Sequence, residues 1–321
     1  MTGTGGPLRL GTRGSELAVS QTLTVAGRIE ELTGAETELV RVRTEGDDLS
    51  IPLSAPPRPG AFAARLRDVL TDGGVDVAVH SFKDLPFAPV PGLRVVAVPE
   101  RAAAQDALVS RDGSGLAALP PGARVGTSSP RRASALLRAR PDLRIVPIRG
   151  NVGTRVRMVR TGEVDAAVLA AAGLERIGRG DEIAELVDPR IIVPAPAQGA
   201  LAVEMRADHP MAEAVGLVDD PGARLRVAAE RQVLTGVRAT CTTAVGAYCE
   251  LEGPGLRLVA DLTDHLGVDH AHVEIDAELG EDALAAVRAD DARAEGVVAE
   301  ALSAARAAGA RAAAELLEVA R

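Results

Sequence analysis

The sequence predicts an α/β protein: two lobes built on mainly parallel sheets, followed by a small C-terminal α+β domain. Three observations predict it. Strand-like and helix-like segments alternate from residue 8 to residue 81. The same alternation restarts near residue 100, where Leu10-Gly11-Thr12-Arg13-Gly14-Ser15 is echoed by Val125-Gly126-Thr127-Ser128-Ser129-Pro130. Beyond residue 219 the pattern becomes successive strands and then an alanine-rich helical tail. Alternation of the first kind implies a parallel sheet, whereas strands followed by helix imply an α+β unit. The expected division is 1–99 with 200–218 for the first lobe, 100–199 for the second, and 219–321 for the C-terminal domain.

Taken in order, LRLGTR (8–13) reads as a strand and Ser15 as a helix N-cap. Residues 16–33 read as a helix in which Leu17, Leu23, Ile29 and Leu32 recur at roughly helical spacing. TELVRVRT (37–44) is the second strand, and DDLSIPLSAPPRPG (47–60), broken by prolines, predicts a long mobile loop. A helix over 61–71 leads into the strand VDVAVHS (75–81). In the second lobe, RVGTSSPRR (124–132) and LRIVPIRGNVGTR (143–155) each read as a strand entering a helix, and VDAAVLAAAGLERIG (164–178) as a third strand and turn. The prolines of VPAPAQGA (193–200) predict a crossing back toward the first lobe. A helix over 223–236, the strands AVGAYCELE, LRLVADLT and AHVEIDAEL, and a helical tail from 282 complete the chain.

At 321 residues the chain is long enough for two or three domains, and 46% apolar with 25% charged residues describes a globular protein. With one Tyr, three Phe and no Trp, the cores must be built from Val, Leu, Ile and Ala. A net charge of -9 opposes general nucleic-acid binding. The start, MTGTGGPLRL, has no basic region followed by an apolar one, and no apolar run reaches the length of a membrane span, so a cytoplasmic protein is expected. The two cysteines, Cys241 and Cys249, argue for neither a structural disulfide nor a metal site. Cys241, in a loop, is a candidate nucleophile or covalent anchor; Cys249 falls inside an apolar strand, where a thiol is inert. His265, His270 and His272 spread over an expected hairpin without carboxylates at ligand spacing and read as surface residues, so no metal is expected.

VHSFKDLP (79–86) holds the chain's single lysine, Lys83, beside Asp84, at what should be the C-terminal end of a parallel strand. Such ends carry the binding groups of parallel sheets. Arg13, Arg131, Arg132, Arg149, Arg155 and Arg176 also fall at or just after strand ends, among Ser15, Thr127, Ser128 and Ser129. One arginine on a helix is ordinarily solvated charge; six in recurrent positions make a polyanion site. Guanidinium forks suit carboxylates or phosphates, and no phosphate-loop or dinucleotide glycine motif is present, so several carboxylates are the better ligand. In that setting Asp84 stays ionised and can stabilise a substrate cation or pass a proton.

The segments LRLGTRGSELA, VDVAVHSFKDLP, VGTSSPRR, IRGNVGTR, LAAAGLERIG and AQGAL, in this order and spacing, resemble the porphobilinogen deaminase (hydroxymethylbilane synthase) family of tetrapyrrole biosynthesis. The resemblance is strongest over 8–204. It implies two lobes similar to periplasmic binding proteins and a third domain whose cysteine, matched here by Cys241, bears a covalent dipyrromethane cofactor. It further implies stepwise deamination and head-to-tail condensation of four porphobilinogen units on that primer, with Asp84 as the catalytic carboxylate. Each unit carries an acetate and a propionate, which accounts for the arginines. Cofactor contacts carry over to Lys83, Asp84, Ser129, Arg131, Arg132 and Arg155, and substrate contacts to Arg13, Ser15, Arg149, Arg155, Arg176 and Gln198. Porphobilinogen as the small-molecule partner and a monomeric state are also implied.

The sequence departs from the family's pattern in several places. Ala239-Thr240-Cys241-Thr242-Thr243-Ala244-Val245-Gly246 lacks the usual glycine before the cysteine and Pro-(Ile/Val)-Gly after it. SAPPRPGAF has Ala55 and Pro59 at lysine-like positions and only Arg58 as a cation; Pro130 stands for a leucine and Ala197 for a glycine; no acidic residue follows Arg101. These departures define a second reading, a catalytically impaired paralogue that binds an anionic ligand. A transport-type solute receptor would need an export signal.

Overall fold

The computed structural model describes residues 6–44, 60, 63–239, 243–263, 269–280, 285 and 295–320. The loop expected over 47–60 lies, Gly60 apart, outside the described residues, as do Cys241 and His265. The chain divides into two compact units, Met1–Arg101 with Ala200–Arg224 and Ala102–Gly199 with Leu225–Arg321.

In the first unit the chain runs β1 (Leu8–Thr12), α1 (Glu16–Thr33), β2 (Thr37–Arg41), α2 (Ala64–Thr71), β3 (Val77–Ser81) and β4 (Leu93–Ala97). It then leaves for the second unit. There it forms β5 (Asp106–Ser110), β6 (Arg124–Gly126), α3 (Pro130–Ala139), β7 (Arg144–Val146), α4 (Val152–Arg160), β8 (Ala166–Ala170), α5 (Ala171–Glu175) and β9 (Glu185–Leu186). It returns as β10 (Leu201–Arg206) and α6 (Ala212–Gly216), and continues into α7 (Pro221–Gly236). The C-terminal elements are β11 (Ala244–Glu252), β12 (Gly255–Thr263), β13 (His270–Glu278) and α8 (Glu295–Val319).

The first sheet has the order β2-β1-β3-β10-β4, and the second the order β7-β6-β8-β5-β9. In each, four strands point the same way, and the strand formed just after the chain crosses between units, β10 or β5, runs antiparallel to both neighbours. The sequence reading placed no strand at β4, β5, β9 or β10. β5 (DALVS) and β10 (LAVEMR) are buried on both faces, so they lack the alternation that marks a half-exposed strand.

Helix α1 starts where Ser15 accepts a hydrogen bond from the Ala18 amide and ends at Gly34, whose φ of 68° puts it in the left-handed region. Of the four residues that marked this helix in the sequence, only Ile29 is buried; Leu23 and Leu32 point to solvent, 55% and 40% exposed. Leu17 and Leu23 are six residues apart, about 240° around a helix, and cannot share one face. The buried stripe is Gln21, Thr22, Val25, Ala26 and Ile29. It packs on Leu8, Leu10, Val77, Val79, Val203 and Met205, while Leu66 and Leu70 of α2 cover the other side with Val42, Val75 and Ala78.

The Gly-Thr echo has a packing cause. A Cβ on Gly11 would lie 2.7 Å from Leu66 Cδ1, and one on Gly126 would lie 2.8 Å from Ile148 Cδ1. Both glycines sit in the central parallel strand, paired with Ala78 and Ala167 respectively. Asn151, the chain's single asparagine, caps α4 by accepting a 2.8 Å bond from the Thr154 amide.

The C-terminal sheet is an antiparallel meander, β11-β12-β13, packed on α7 and α8 around Leu225, Ala229, Val233, Cys249, Leu258, Ile275, Ala305 and Leu316. Cys249 is fully buried, as its apolar strand predicted. The fully buried Glu230 of α7 accepts the backbone amides of Ala197, at 2.7 Å, and Cys249, at 2.9 Å. One carboxylate thus joins the crossing segment to β11.

Candidate active site

In the first lobe, β3 delivers Ser81 and then one 3-10 turn, Phe82–Asp84. The turn is anchored at both ends: Phe82 N–H donates to the Ala200 carbonyl at 3.0 Å, and Leu85 N–H donates back to the Phe82 carbonyl at 3.2 Å. Phe82 and Leu85 are buried, so the chain is fixed while Lys83 is half-buried and Asp84 is exposed. Arg13, Ala18, Gln21, Ala63, Val79, His80, Ser81 and Asp84 line one small, solvent-open pocket. Gln21, 4% exposed, holds this wall by accepting a 3.0 Å bond from the Ser81 hydroxyl. Expected residues Arg13 and Asp84 therefore share a pocket, and Ser15 caps the helix that starts beside it.

Below that pocket, Glu204 of β10 is buried against Arg67 and His80, with Arg67 Nη2 at 2.8 Å and His80 Nε2 at 3.2 Å. Burial opposes its ionisation, but the close His80 ring and the hydrogen bonds and charge of Arg67 win and pull its carboxyl down to about 2. The sequence reading missed this group, since a glutamate inside LAVEMR gives no sign of partners more than a hundred residues away.

In the second lobe the organising group is Asp106, fully buried at the start of β5. Arg131 Nη1 donates to it at 2.8 Å, Arg132 Nη2 at 2.6 Å, and the Gln198 amide at 2.9 Å. Burial alone would raise its pKa, but the two guanidinium charges and their hydrogen bonds hold it far below the usual carboxylate range. Ser129 caps α3 by accepting from the Arg132 amide, which fixes the backbone that carries both arginines. Gln198 is buried and gives its amide to Asp106 and to the Ala104 carbonyl, at 2.7 Å. It therefore supports the arginines from behind in this structure.

Arg155 donates its Nε to the Gly150 carbonyl at 3.0 Å, and its two terminal nitrogens bond to nothing among the described residues. Its pKa is lowered by burial and then by repulsion from Arg132, with no carboxylate to compensate. Arg176 is pushed down to about 10 by burial, partly offset by Glu175, and donates to the Gly199 carbonyl at 2.6 Å. Arg149 is exposed beside α4. Arg155, a desolvated cation whose lowered pKa has no carboxylate among its causes, suits an anionic ligand.

The chain matches the family profile described as "Porphobilinogen deaminase, dipyromethane cofactor binding domain" over residues 8–214. The chain belongs to the porphobilinogen deaminase family. Relatives named porphobilinogen deaminase include one from Leifsonia xyli subsp. xyli, 48% identical over 260 residues, covering 79% of each chain. The "Porphobilinogen deaminase 1" of Streptomyces coelicolor is 48% identical over 253 residues, covering 77% of this chain and 79% of that one. The Corynebacterium diphtheriae protein is 48% identical over 255 residues, covering 79% and 85%. Among solved structures, a periplasmic substrate-binding protein of an ABC transporter from Coxiella burnetii aligns with TM-score 0.42 and 16% identity over 66% of this chain and 91% of its own.

The family's dipyrromethane is a string of acetates and propionates, and the second lobe fits such a group. Arg155 has unengaged N–H groups in a desolvated setting, and Arg131 donates only through Nη1 among the described residues. The attachment residue expected from sequence, Cys241, lies outside the described residues. No described helix is long and apolar enough to cross a membrane.

Proposed function

We propose that this chain is a hydroxymethylbilane synthase, a transferase that deaminates four porphobilinogen units in turn and joins them head to tail. The observation that carries the reading is Asp84: an exposed carboxylate on an anchored turn at the end of β3, in one pocket with Arg13. Membership of the porphobilinogen deaminase family supports it.

Held through Cys241, dipyrromethane supplies a covalent primer to which each new unit is joined. Arg131, Arg132, Arg155, Ser129 and Lys83 bind its carboxylates, and Arg13, Ser15, Arg149, Arg155 and Arg176 bind those of the incoming unit. Gln198 acts on the same ligands through Asp106 and Arg132. When the aminomethyl group loses ammonia, positive charge grows on the pyrrole nitrogen, and Asp84 compensates it. The same carboxylate accepts the proton that leaves when the coupled ring regains aromaticity. A fixed anion aimed at developing charge acts on the transition state more than on the ground state. The reading includes a three-domain division at residues 99, 199 and 218, a monomer, and a cytoplasmic location.

The test is Asp84→Asn. Because Asp84 is exposed, the variant should keep the parent's circular dichroism and melting temperature while turnover falls roughly 10²–10³-fold, the loss typical of removing one such stabiliser. A variant retaining more than half of the activity would show that the carboxylate has no such role.

A further inference from the structure

The outer face of the C-terminal sheet brings together groups that the deaminase chemistry does not use. In the antiparallel register of β12 and β13, Asp261 stands directly opposite His272, and Thr263 opposite His270. His270 and His272 are two residues apart on one strand, so both project from the same face. The sequence reading saw no carboxylate at ligand spacing for these histidines. Strand pairing supplies one, because register, not separation along the chain, decides which residues meet.

His272 Nδ1 lies 2.6 Å from Asp261 Oδ1, and His270 Nε2 lies 3.2 Å from Oδ2. The second contact is too poorly aligned to be a hydrogen bond, and the buried Nε2 of His270 has no hydrogen-bond partner among the described residues. Two imidazole nitrogens and a carboxylate oxygen, all within 4.8 Å of one another, converge on one point.

We propose that Asp261, His270 and His272 form a binding site for a divalent transition-metal ion of the Zn²⁺ class. The donor set is one that Zn²⁺ accepts, three protein ligands with a position left for water. Bonds of about 2.0–2.1 Å in a tetrahedron place ligand atoms roughly 3.3 Å apart, so the 2.6 Å His272–Asp261 pair must open by about 0.7 Å and any pair near the 4.8 Å limit must close by up to about 1.5 Å.

The surroundings also match. His272 Nε2, the nitrogen that would not ligate, lies 3.5 Å from Glu274 Oε1, and ligating histidines ordinarily give their other N–H to a carboxylate. Arg138 of α3 reaches Asp261 Oδ2 at 3.2 Å, an outer contact that orients a ligating carboxylate while its other oxygen faces the ion. Asp261 is 6% exposed but His272 is open to solvent, which gives an entry path. The ion would tie β12 to β13 and, through Arg138, the C-terminal sheet to the second lobe.

The test uses the full chain, free of any affinity tag and stripped with a chelator, titrated calorimetrically with Zn²⁺ at neutral pH. The expected result is one equivalent bound, weakened at least tenfold in His270→Ala and in His272→Ala and unchanged in His209→Ala. His272 is exposed, so its variant should fold, and it decides the matter alone if His270→Ala does not. The proposal is overturned by titration without a one-equivalent step, or by a one-equivalent step of parental affinity in His272→Ala. Neither outcome bears on deaminase activity, which is measured separately.

Discussion

The two five-stranded sheets are alike at one end of their parallel strands and unlike at the other. At the strand starts, Arg9 of β1 donates from its backbone, Nε and Nη2 to Asp76, and its terminal nitrogens also reach the carbonyls of Gly73 and Gly74. Arg124 of β6 does the same with Asp165 and the carbonyls of Gly162 and Glu163. Even the clearance at Gly11 and Gly126 repeats. At the strand ends the likeness stops. Val77 and Ala166 are paired equivalents, which makes Asp84, seven residues on, correspond to the buried Gly173 of α5. One lobe presents an acid there, and the other presents arginines around a hidden acid. The duplicated ends build the sheet, and the diverged ends carry the chemistry.

The buried carboxylates show the same division. Asp106 pairs with Ala170, the last residue of β8, at the level of the anion-binding arginines. Glu204 pairs with Ala78, three residues before the end of β3, and holds α2 to the sheet through Arg67. Asp106→Asn should therefore have the largest effect on the second lobe. It leaves two buried guanidinium groups facing a neutral amide, at a cost of about 3–5 kcal/mol by denaturant unfolding. Retained cofactor, measured by the mass of the purified protein, should fall in the same variant. Equal stability in parent and variant would mean that Asp106 does not anchor the arginines.

Glu204 gives the next effect, in acid. Its carboxyl titrates near 2 when folded and near 4.3 when unfolded, so its contribution is present above about pH 4 and disappears as the pH falls toward 2. That difference is on the order of 3 kcal/mol. Glu204→Gln should flatten this part of the acid limb of a stability–pH curve while leaving turnover at neutral pH within about twofold. An unchanged acid limb would separate Glu204 from acid stability and weaken the contrast with Asp106.

The paired strand-start clamps test the likeness itself. Arg9 and Arg124 are about equally exposed, at 40% and 42% of their side chains, and make the same set of bonds. Arg9→Ala and Arg124→Ala should each lower the melting temperature modestly and by a similar amount, since both clamps are partly solvated, without lowering turnover of the folded protein. A loss of activity in only one of them, at matched stability, would break the equivalence.

Much of this was legible in the sequence where an interaction is local. Ser15 could be read as a cap because the cap bond spans only a few residues, and the strand before Lys83 and Asp84 followed from its apolar run. The three C-terminal strands, of which β13 alternates most clearly between faces, were placed almost to the residue. What escaped depends on distant pairing. β5 and β10 are buried on both faces and show no period; Asp106 meets arginines about 25 residues away; Asp261 meets His272 only through strand register. Arg131 and Arg132 both bond to the buried Asp106, which could not be seen from their spacing.

The smallest expected effect lies in the segment that leads back to β10. Ala197 has a φ of 62°, in the left-handed region where a Cβ is strained, and its amide is held by the buried Glu230. The family's pattern has glycine at this position, which adopts that conformation without strain. Ala197→Gly relieves the strain but also gives the unfolded chain more freedom, and the two effects oppose. Relief of left-handed strain, at roughly 1–2 kcal/mol, exceeds the added entropy, at about 0.4–1 kcal/mol. A net gain of about 0.5–1 kcal/mol follows, a rise of a few degrees at most in melting temperature for a chain of this size. Since Gln198 follows directly and supports Asp106, the same variant should leave the arginine cluster in place and turnover unchanged. A drop in melting temperature would instead mean that the segment is held in this conformation with no strain to release.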